Sequence, residues 1–173
     1  HEAGHAVATK FLKNADPVHK VTIVSRGMAL GATQYLPKED RRLQSQNYIL
    51  DQIAAMLAGR AAEEMIFGAE EITNGAQNDI ERATELAGKM VREWGMSNLG
   101  PITYGSSGQG MYPRGGGASS QNYSENTARE IDGEVNDIIQ KRMSAVKELL
   151  NENKSALERL AQTLLEKETL NAE

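Results

Sequence analysis

Residues 1–12 read HEAGHAVATKFL, and this stretch determines how the rest of the chain is interpreted. Histidines and apolar residues recur in it at intervals of four, three and four, which predicts a helix over 1–13. The residues on this shared face are His1, His5, Ala8 and Leu12. Pro17 is expected to end the helix, because the residue before a proline disfavours the α conformation. A translated chain begins with Met, so we expect His1 to lie inside a longer polypeptide.

The two histidines of this helix bracket a glutamate in a pattern typical of zinc hydrolases. Residues four apart lie on one helix face, so His1 and His5 can direct both imidazoles at one metal ion. Zinc favours nitrogen ligands at about 2.0–2.1 Å in a tetrahedral arrangement with one position open for water. Glu2 is then placed to accept a proton from that water, whose pKa zinc lowers to about 7. The alternative is an exposed pair of helix histidines beside an unrelated acid.

A catalytic zinc site needs a third protein ligand, and the nearby sequence does not supply a histidine. In the longer motif that adds a third histidine, the relevant positions are occupied here by Ala8 and Phe11. His19, the one remaining histidine, falls in a predicted strand and is interpreted as a surface or edge residue. Because the chain has no cysteine, the third ligand is expected to be a carboxylate.

Two carboxylate positions compete for that role, and spacing alone does not choose between them. Glu63 and Glu64 lie inside a predicted helix, as does the third ligand of some zinc proteases. They also fit a solvated pair, or a group that orients a ligating histidine. Asp79 lies in the first turn of the next predicted helix, where an acid also fits simple compensation of the helix dipole.

The hydrophobic pattern of the remaining chain predicts one small strand element followed by mostly helical sequence. Alternating β-branched residues predict an antiparallel pair of strands near 18–25 and 28–36. A helix over 40–67 is predicted to bury Leu43, and the next helix to begin at Asn78 as N-cap and bury Trp94. Further helices are predicted over 124–151 and from 155 onward.

These elements predict a mainly α fold, an α+β domain with a small strand element beside the metal helix. We expect a peptidase core over residues 1–123, with a Gly- and Ser-rich loop at about 106–120 that is mobile. Residues 124–173 are expected to form a C-terminal helical arm of the same domain.

Composition excludes several other classes of protein. Of the 173 residues, 39% are hydrophobic and 25% charged, which is typical of a globular domain. The absence of cysteine excludes a disulfide scaffold, a thiolate zinc site and a cysteine nucleophile. The net charge is −5 and no basic stripe is present, so nucleic acid is not an expected partner.

Four motifs in this order resemble the peptidase domain of the FtsH family of membrane-anchored, ATP-dependent zinc metalloproteases. They are HEAGHA at 1–6, AGRAAEE at 58–64, TNGAQNDIERAT at 73–84 and REWGMSNLGPITY at 92–104. The resemblance covers essentially the whole chain, and it implies that Zn²⁺ is held by His1, His5 and Asp79. It implies further that Glu2 is the catalytic base and that Glu63 supports the site from close by.

The same resemblance implies a zinc endopeptidase that hydrolyses unfolded or membrane proteins within a homo-hexamer. An upstream ATPase module would deliver the substrate; no phosphate-binding GxxxxGK[ST] sequence occurs in this chain. The full-length protein would be anchored in a bacterial inner membrane, or in an organelle inner or thylakoid membrane. This domain would then lie on the cytoplasmic, matrix or stromal side, and the fragment itself would be soluble.

Two other classes of function remain compatible with the residues. One is a zinc enzyme that acts on a substrate other than a peptide, since the motif specifies activation of water and not the acyl group. The other is an interaction domain with a vestigial site, in which the helices at 124–165 are the working part. The strand pair is open to two interpretations as well: a sheet edge that binds an extended substrate, or an ordinary hairpin.

Overall fold

A computed structural model describes residues 1–25, 31–36, 43–104 and 123–171. Its helices are α1 (Glu2–Phe11), α2 (Gln46–Phe67), α3 (Gln77–Arg92), α4 (Glu125–Glu152) and α5 (Lys154–Lys167). Its strands are β1 (Val18–Thr22), β2 (Ala32–Tyr35) and β3 (Thr169–Asn171). Two short 3₁₀ turns, Ala69–Glu71 and Asn74–Ala76, connect α2 to α3. The predicted mainly α fold is confirmed, whereas the expectation of a mobile loop at 106–120 falls outside the described residues.

The close approach of α1 and α2 depends on small side chains at their crossing. A Cβ atom added to Gly4 would lie 2.6 Å from the Ala58 carbonyl oxygen and 2.7 Å from the Ala62 Cβ. Such distances are far below the 3.5–4.0 Å or so of a normal contact between carbon atoms. Glycine at position 4 therefore brings the helix that carries His1 and His5 directly against the backbone of α2.

The three strands form an antiparallel sheet in the order β2-β1-β3. The predicted strand pair is confirmed as β1 and β2, with Val21 opposite Thr33, but β3 was not predicted. It arises because Glu168 adopts a left-handed conformation (φ 59°) that ends α5 and turns the chain alongside β1. The Glu168 carbonyl then accepts a hydrogen bond from the Ile23 amide at 2.9 Å. In the described part of the chain, β2 therefore lies at one edge of the sheet, next to α1.

The two C-terminal helices pack onto the same core as α1 and α2. The Ser124 hydroxyl caps α4 by accepting the Thr127 amide at 3.2 Å, and only Asn153 separates α4 from α5. α4 packs against α2 and α3, while α5 packs mainly against α1. Their contributions to the shared core include Val146, Leu150, Leu157 and Leu164.

The predicted boundary of α2 is wrong at its N-terminal end. The helix begins at Gln46 because the Ser45 hydroxyl accepts the Tyr48 amide at 3.2 Å and so caps it. Leu43 precedes that cap and is 90% exposed, so it does not belong to a buried stripe. Gly68, with φ 89°, ends the helix.

The predicted start of α3 is wrong as well. Its N-cap position is Ala76, which follows the 3₁₀ turn, and Asn78 lies inside the helix. The capping interaction comes earlier, where the Thr73 hydroxyl accepts the Gly75 amide at 3.2 Å. Trp94 lies beyond the end of α3 and is 40% exposed, so the predicted buried stripe ends before it.

None of the helices in the described ranges is long and apolar enough to span a membrane.

Candidate metal centre

His1 and His5 are oriented by hydrogen bonds on the side of each ring that faces α2. His5 donates from Nδ1 to the Ala55 carbonyl oxygen at 2.7 Å, and His1 donates from Nδ1 to Glu63 Oε1 at 2.7 Å. A carbonyl oxygen only accepts, so the bond to Ala55 fixes the proton of His5 on Nδ1 and leaves Nε2 with a free lone pair. The two Nε2 atoms are 3.1 Å apart and face a common point.

Asp79 completes a triangle of donor atoms with the two histidines. Its Oδ2 lies 3.3 Å from His1 Nε2 and 3.2 Å from His5 Nε2. In a regular tetrahedron with bonds of about 2.0–2.1 Å, ligand atoms are roughly 3.3–3.4 Å apart. The three observed separations are within about 0.3 Å of that value, so the nitrogen and oxygen donors fit Zn²⁺ in both spacing and chemistry. Among the described residues, His1, His5 and Asp79 are the group with potential metal-ligand atoms gathered in this way.

The charges in this cluster keep Asp79 in the form that binds a cation. Burial raises the pKa of Asp79, but hydrogen bonds and positive charge from His1 and His5 outweigh it and hold that pKa well below its usual range. Burial lowers the pKa of His1, whereas hydrogen bonds to Asp79 and Glu63 raise it, and the net result is above the ordinary value. The acidic groups thus create a strongly negative environment around the donor atoms.

The Glu63 carboxylate links α1 to the segment that leads into Asp79. It is 8% exposed, accepts from His1 through Oε1, and accepts the Thr73 amide through Oε2 at 3.4 Å. Arg60, one helical turn earlier, donates from Nη2 to the Thr73 carbonyl at 2.8 Å. Both polar groups of the Thr73 backbone are therefore held by α2, six residues before Asp79.

The remaining candidate ligands lie away from the donor triangle. Glu64 forms an ion pair with Lys147 of α4, so its side chain is directed toward that helix. His19 is exposed on β1, as expected for a surface residue. Glu63 thus lies against Nδ1 of His1, and Asp79 lies near Nε2 of the same ring.

Gly59 is a residue of this site that spacing did not single out. A Cβ at position 59 would lie 2.5 Å from His1 Cε1, 2.6 Å from Nδ1 and 2.7 Å from Nε2. The His1 ring therefore lies flat against the backbone of α2. The sequence carried one signal, because a glycine inside a helix costs about 1 kcal/mol relative to alanine and so calls for a local reason.

Glu2 lies at the start of α1 and contacts the strand region. Its Oε2 accepts a hydrogen bond from the Thr33 hydroxyl of β2 at 2.7 Å. Its Oε1 lies against Gly31, where an added Cβ would be 2.7 Å away. Neither Thr33 nor Gly31 was singled out from the sequence as part of the site.

Comparison with known proteins identifies the family of this chain. The chain matches peptidase family M41 over residues 1–173. It is 46% identical over 172 residues to an ATP-dependent zinc metalloprotease FtsH of Acidobacterium capsulatum, covering 99% of this chain and 27% of that protein. It is 51% identical over 175 residues to FtsH 3 of Petrotoga mobilis, covering 100% of this chain and 27% of the relative.

A third relative, the FtsH protein of Myxococcus xanthus, is 49% identical over 174 residues, covering 100% of this chain and 27% of that protein. The chain thus spans about a quarter of the length of these curated relatives. The match nevertheless extends along the whole chain, including all four motifs. The chain therefore belongs to peptidase family M41 and is a peptidase domain of the FtsH type, as its motifs predicted.

Proposed function

We propose that this domain is a zinc endopeptidase in which His1, His5 and Asp79 hold Zn²⁺ and Glu2 is the catalytic base. The observation that carries the proposal is the triangle of donor atoms at 3.1–3.3 Å. The names of the related proteases include zinc, which supports the same metal. Glu63 and the Ala55 carbonyl orient the two imidazoles so that both Nε2 atoms remain available.

Zn²⁺ held by His1, His5 and Asp79 would supply a Lewis acid that activates water and polarises a peptide carbonyl. Glu2 accepts the proton of the attacking water on its carboxylate and later donates it to the departing amine. This carboxylate accepts the Thr33 hydroxyl through Oε2, and its Oε1 lies next to Gly31.

We propose that an extended polypeptide binds along the outer edge of β2. One edge of this strand pairs with β1, and the other edge carries no strand in the described part of the sheet. Main-chain hydrogen bonds to a strand edge do not depend on side-chain identity, which suits hydrolysis of unfolded proteins of many sequences. A hairpin that serves only to pack on α1 is the alternative, and it predicts that N-methylation of the substrate backbone has no effect on KM.

This chain spans about 27% of the length of its relatives, so further parts of those proteins bear on the function of the whole. We propose that an ATPase module elsewhere in that protein delivers unfolded or membrane protein substrates, in keeping with the ATP dependence in the relatives' names. We further propose that the whole protein is a homo-hexamer anchored in a membrane. This domain would lie on the cytoplasmic, matrix or stromal side, with residues 1–123 as its peptidase core and 124–173 as its helical arm.

The test combines elemental analysis of bound zinc with hydrolysis of fluorescently labelled unfolded casein. Glu2→Gln is expected to retain zinc and lose hydrolysis, and Asp79→Asn is expected to lose zinc. Glu64→Gln, which changes the neighbour of Glu63 but contacts α4, is the matched control and should behave as the wild type. Hydrolysis that survives in Glu2→Gln would exclude this mechanism.

The same assay separates the competing functions. A panel of small amides and esters beside casein tests for a zinc enzyme with a substrate other than a peptide. An interaction domain with a vestigial site predicts that neither chelation nor Glu2→Gln changes any activity.

A further inference from the structure

Thr33 makes the shortest polar contact of the Glu2 side chain. Its hydroxyl lies 2.7 Å from Glu2 Oε2 and 3.4 Å from the Glu2 carbonyl oxygen. A hydroxyl has one proton to donate, and both neighbours are acceptors, so the proton is directed mainly at the nearer, charged oxygen. The donor lies on a strand and the acceptor on a helix, 31 residues apart in the chain.

Gly31 limits the same carboxylate from a second side. A Cβ at this position would lie 2.7 Å from Glu2 Oε1 and 2.8 Å from Glu2 Cγ, so the Glu2 side chain occupies the space that any larger residue would need. The same point is 2.9 Å from the Thr22 carbonyl of β1, so a larger residue at position 31 would also meet the backbone of that strand. The side chain of Glu2 thus lies next to Gly31 through Oε1 and Cγ and accepts a hydroxyl donor through Oε2.

We propose that Thr33 is a positioning residue for the catalytic base, an inference that rests on the proposed role of Glu2. A glutamate on the first turn of a helix otherwise samples several rotamers, and a hydrogen bond to one oxygen selects one of them. A carboxylate has about four acceptor sites, so donation from Thr33 to Oε2 leaves sites free to receive a proton.

The same strand would also place the substrate. A peptide added to the outer edge of β2 is fixed relative to that strand by main-chain hydrogen bonds. Since Thr33 fixes Glu2 relative to the same strand, β2 sets the distance between the base and the peptide bond to be cleaved. Loss of the hydroxyl should therefore reduce kcat rather than substrate binding.

The first experiment measures hydrolysis of labelled casein and bound zinc for Thr33→Val, which has nearly the same shape but no donor. We expect kcat to fall by about 10- to 100-fold, as for a small misplacement of a catalytic group. KM and zinc content should remain unchanged, and Thr33→Ser should restore most of the rate. The control is Thr84→Val, because the Thr84 hydroxyl is exposed and donates to the Ile80 carbonyl of its own helix at 2.8 Å.

The second experiment measures the contact itself, without metal or catalysis. Urea unfolding midpoints are compared in chelator for Thr33→Val, Glu2→Ala and the double variant. Alanine is used at position 2 because glutamine would keep an acceptor oxygen. If the two side chains interact as inferred, the shift in the double variant is smaller than the sum of the single shifts.

The outcomes distinguish this inference from the proposed function. Additive midpoints, or full activity of Thr33→Val beside an inactive Glu2→Gln, would overturn the role of Thr33 and leave the zinc peptidase intact. Hydrolysis by Glu2→Gln would overturn the role of Glu2 as base, and therefore also the proposed role of Thr33 in positioning that base. A Thr33→Val variant that loses zinc as well as activity would show a structural role instead.

Discussion

Replacing Gly59 by alanine should weaken zinc binding with little change in the stability of the fold, because it displaces the His1 ring from its place against α2. The added methyl would lie 2.5–2.7 Å from three atoms of the His1 ring. Carbon atoms in contact are normally about 3.5–4.0 Å apart, so the ring must move by roughly 1 Å. That displacement is large compared with the accepted tolerance of about 0.2 Å in metal–ligand distances.

The size of the effect follows from what the displaced ring would lose. His1 Nδ1 would move relative to Glu63 Oε1, now at 2.7 Å, and Nε2 would leave the donor triangle. Loss of an outer hydrogen bond to a ligating histidine typically weakens metal binding by about 10- to 100-fold. We therefore expect zinc affinity to fall by at least about 100-fold, or roughly 2.7 kcal/mol. In the metal-free protein, the higher helix propensity of alanine, up to about 1 kcal/mol, should largely offset the loss of the His1–Glu63 hydrogen bond, so the free energy of unfolding should change little.

The assay is a competition titration of zinc against a chelating dye, together with urea unfolding in chelator. Gly133→Ala is the matched control, since a Cβ at that position in α4 meets no atom within 4 Å. The control should gain helix stability and bind zinc as the wild type does. Wild-type zinc affinity in Gly59→Ala would refute the claim that the His1 ring is held in place against α2.

Four further results are expected from the same structure. Gly4→Ala should reduce the free energy of unfolding by about 1–3 kcal/mol, measured with urea, because the methyl would overlap the backbone of α2. Arg60→Ala should weaken zinc binding by about 10-fold in the dye titration while leaving His1 and His5 intact, because it frees the Thr73 carbonyl ahead of Asp79. Removing zinc with a chelator should lower the thermal midpoint, since a metal at about 1,000 times its Kd contributes roughly 4 kcal/mol. Deleting residues from Thr169 onward should lower stability in chelator, because it removes β3.

The sequence allowed good predictions for features that depend on neighbours within one helical turn. The spacing of His1 and His5 placed both rings on one face, and the pairing of β1 with β2 followed from two short alternating runs. The proximity of Asp79 to His1 is a contact across 78 residues, and no local spacing in the sequence predicts it. The resemblance to the FtsH family implied Asp79 as the third ligand, and in the structure its side chain lies next to those of His1 and His5.

The missed features are mostly contacts between residues that are distant in the sequence. Gly59 and Gly31 matter for the space they leave to His1 and Glu2, and a sequence does not show which side chain will enter that space. β3 is only three residues long and follows a helix, so it carries no alternation to detect. The predicted start of α2 is too early because the apolar spacing typical of a helix continues on the N-terminal side of Ser45. The predicted start of α3 is wrong because the short 3₁₀ turn before Gln77 has no apolar spacing that would reveal it.

The hydrogen bonds between the two ends of the chain have a consequence for its synthesis. Thr22, in the strand next to β2, contacts Glu168 across 146 residues, and α1 packs on α5. At roughly 5–20 residues per second, a ribosome needs about 7–30 s to translate that interval. In a nascent chain, the residues of the proposed site are therefore translated well before β3, which pairs with β1, and α5, which packs on α1. We expect the site to become ordered only after α5 and β3 have been translated, so that a nascent chain that ends before them lacks an assembled proteolytic centre.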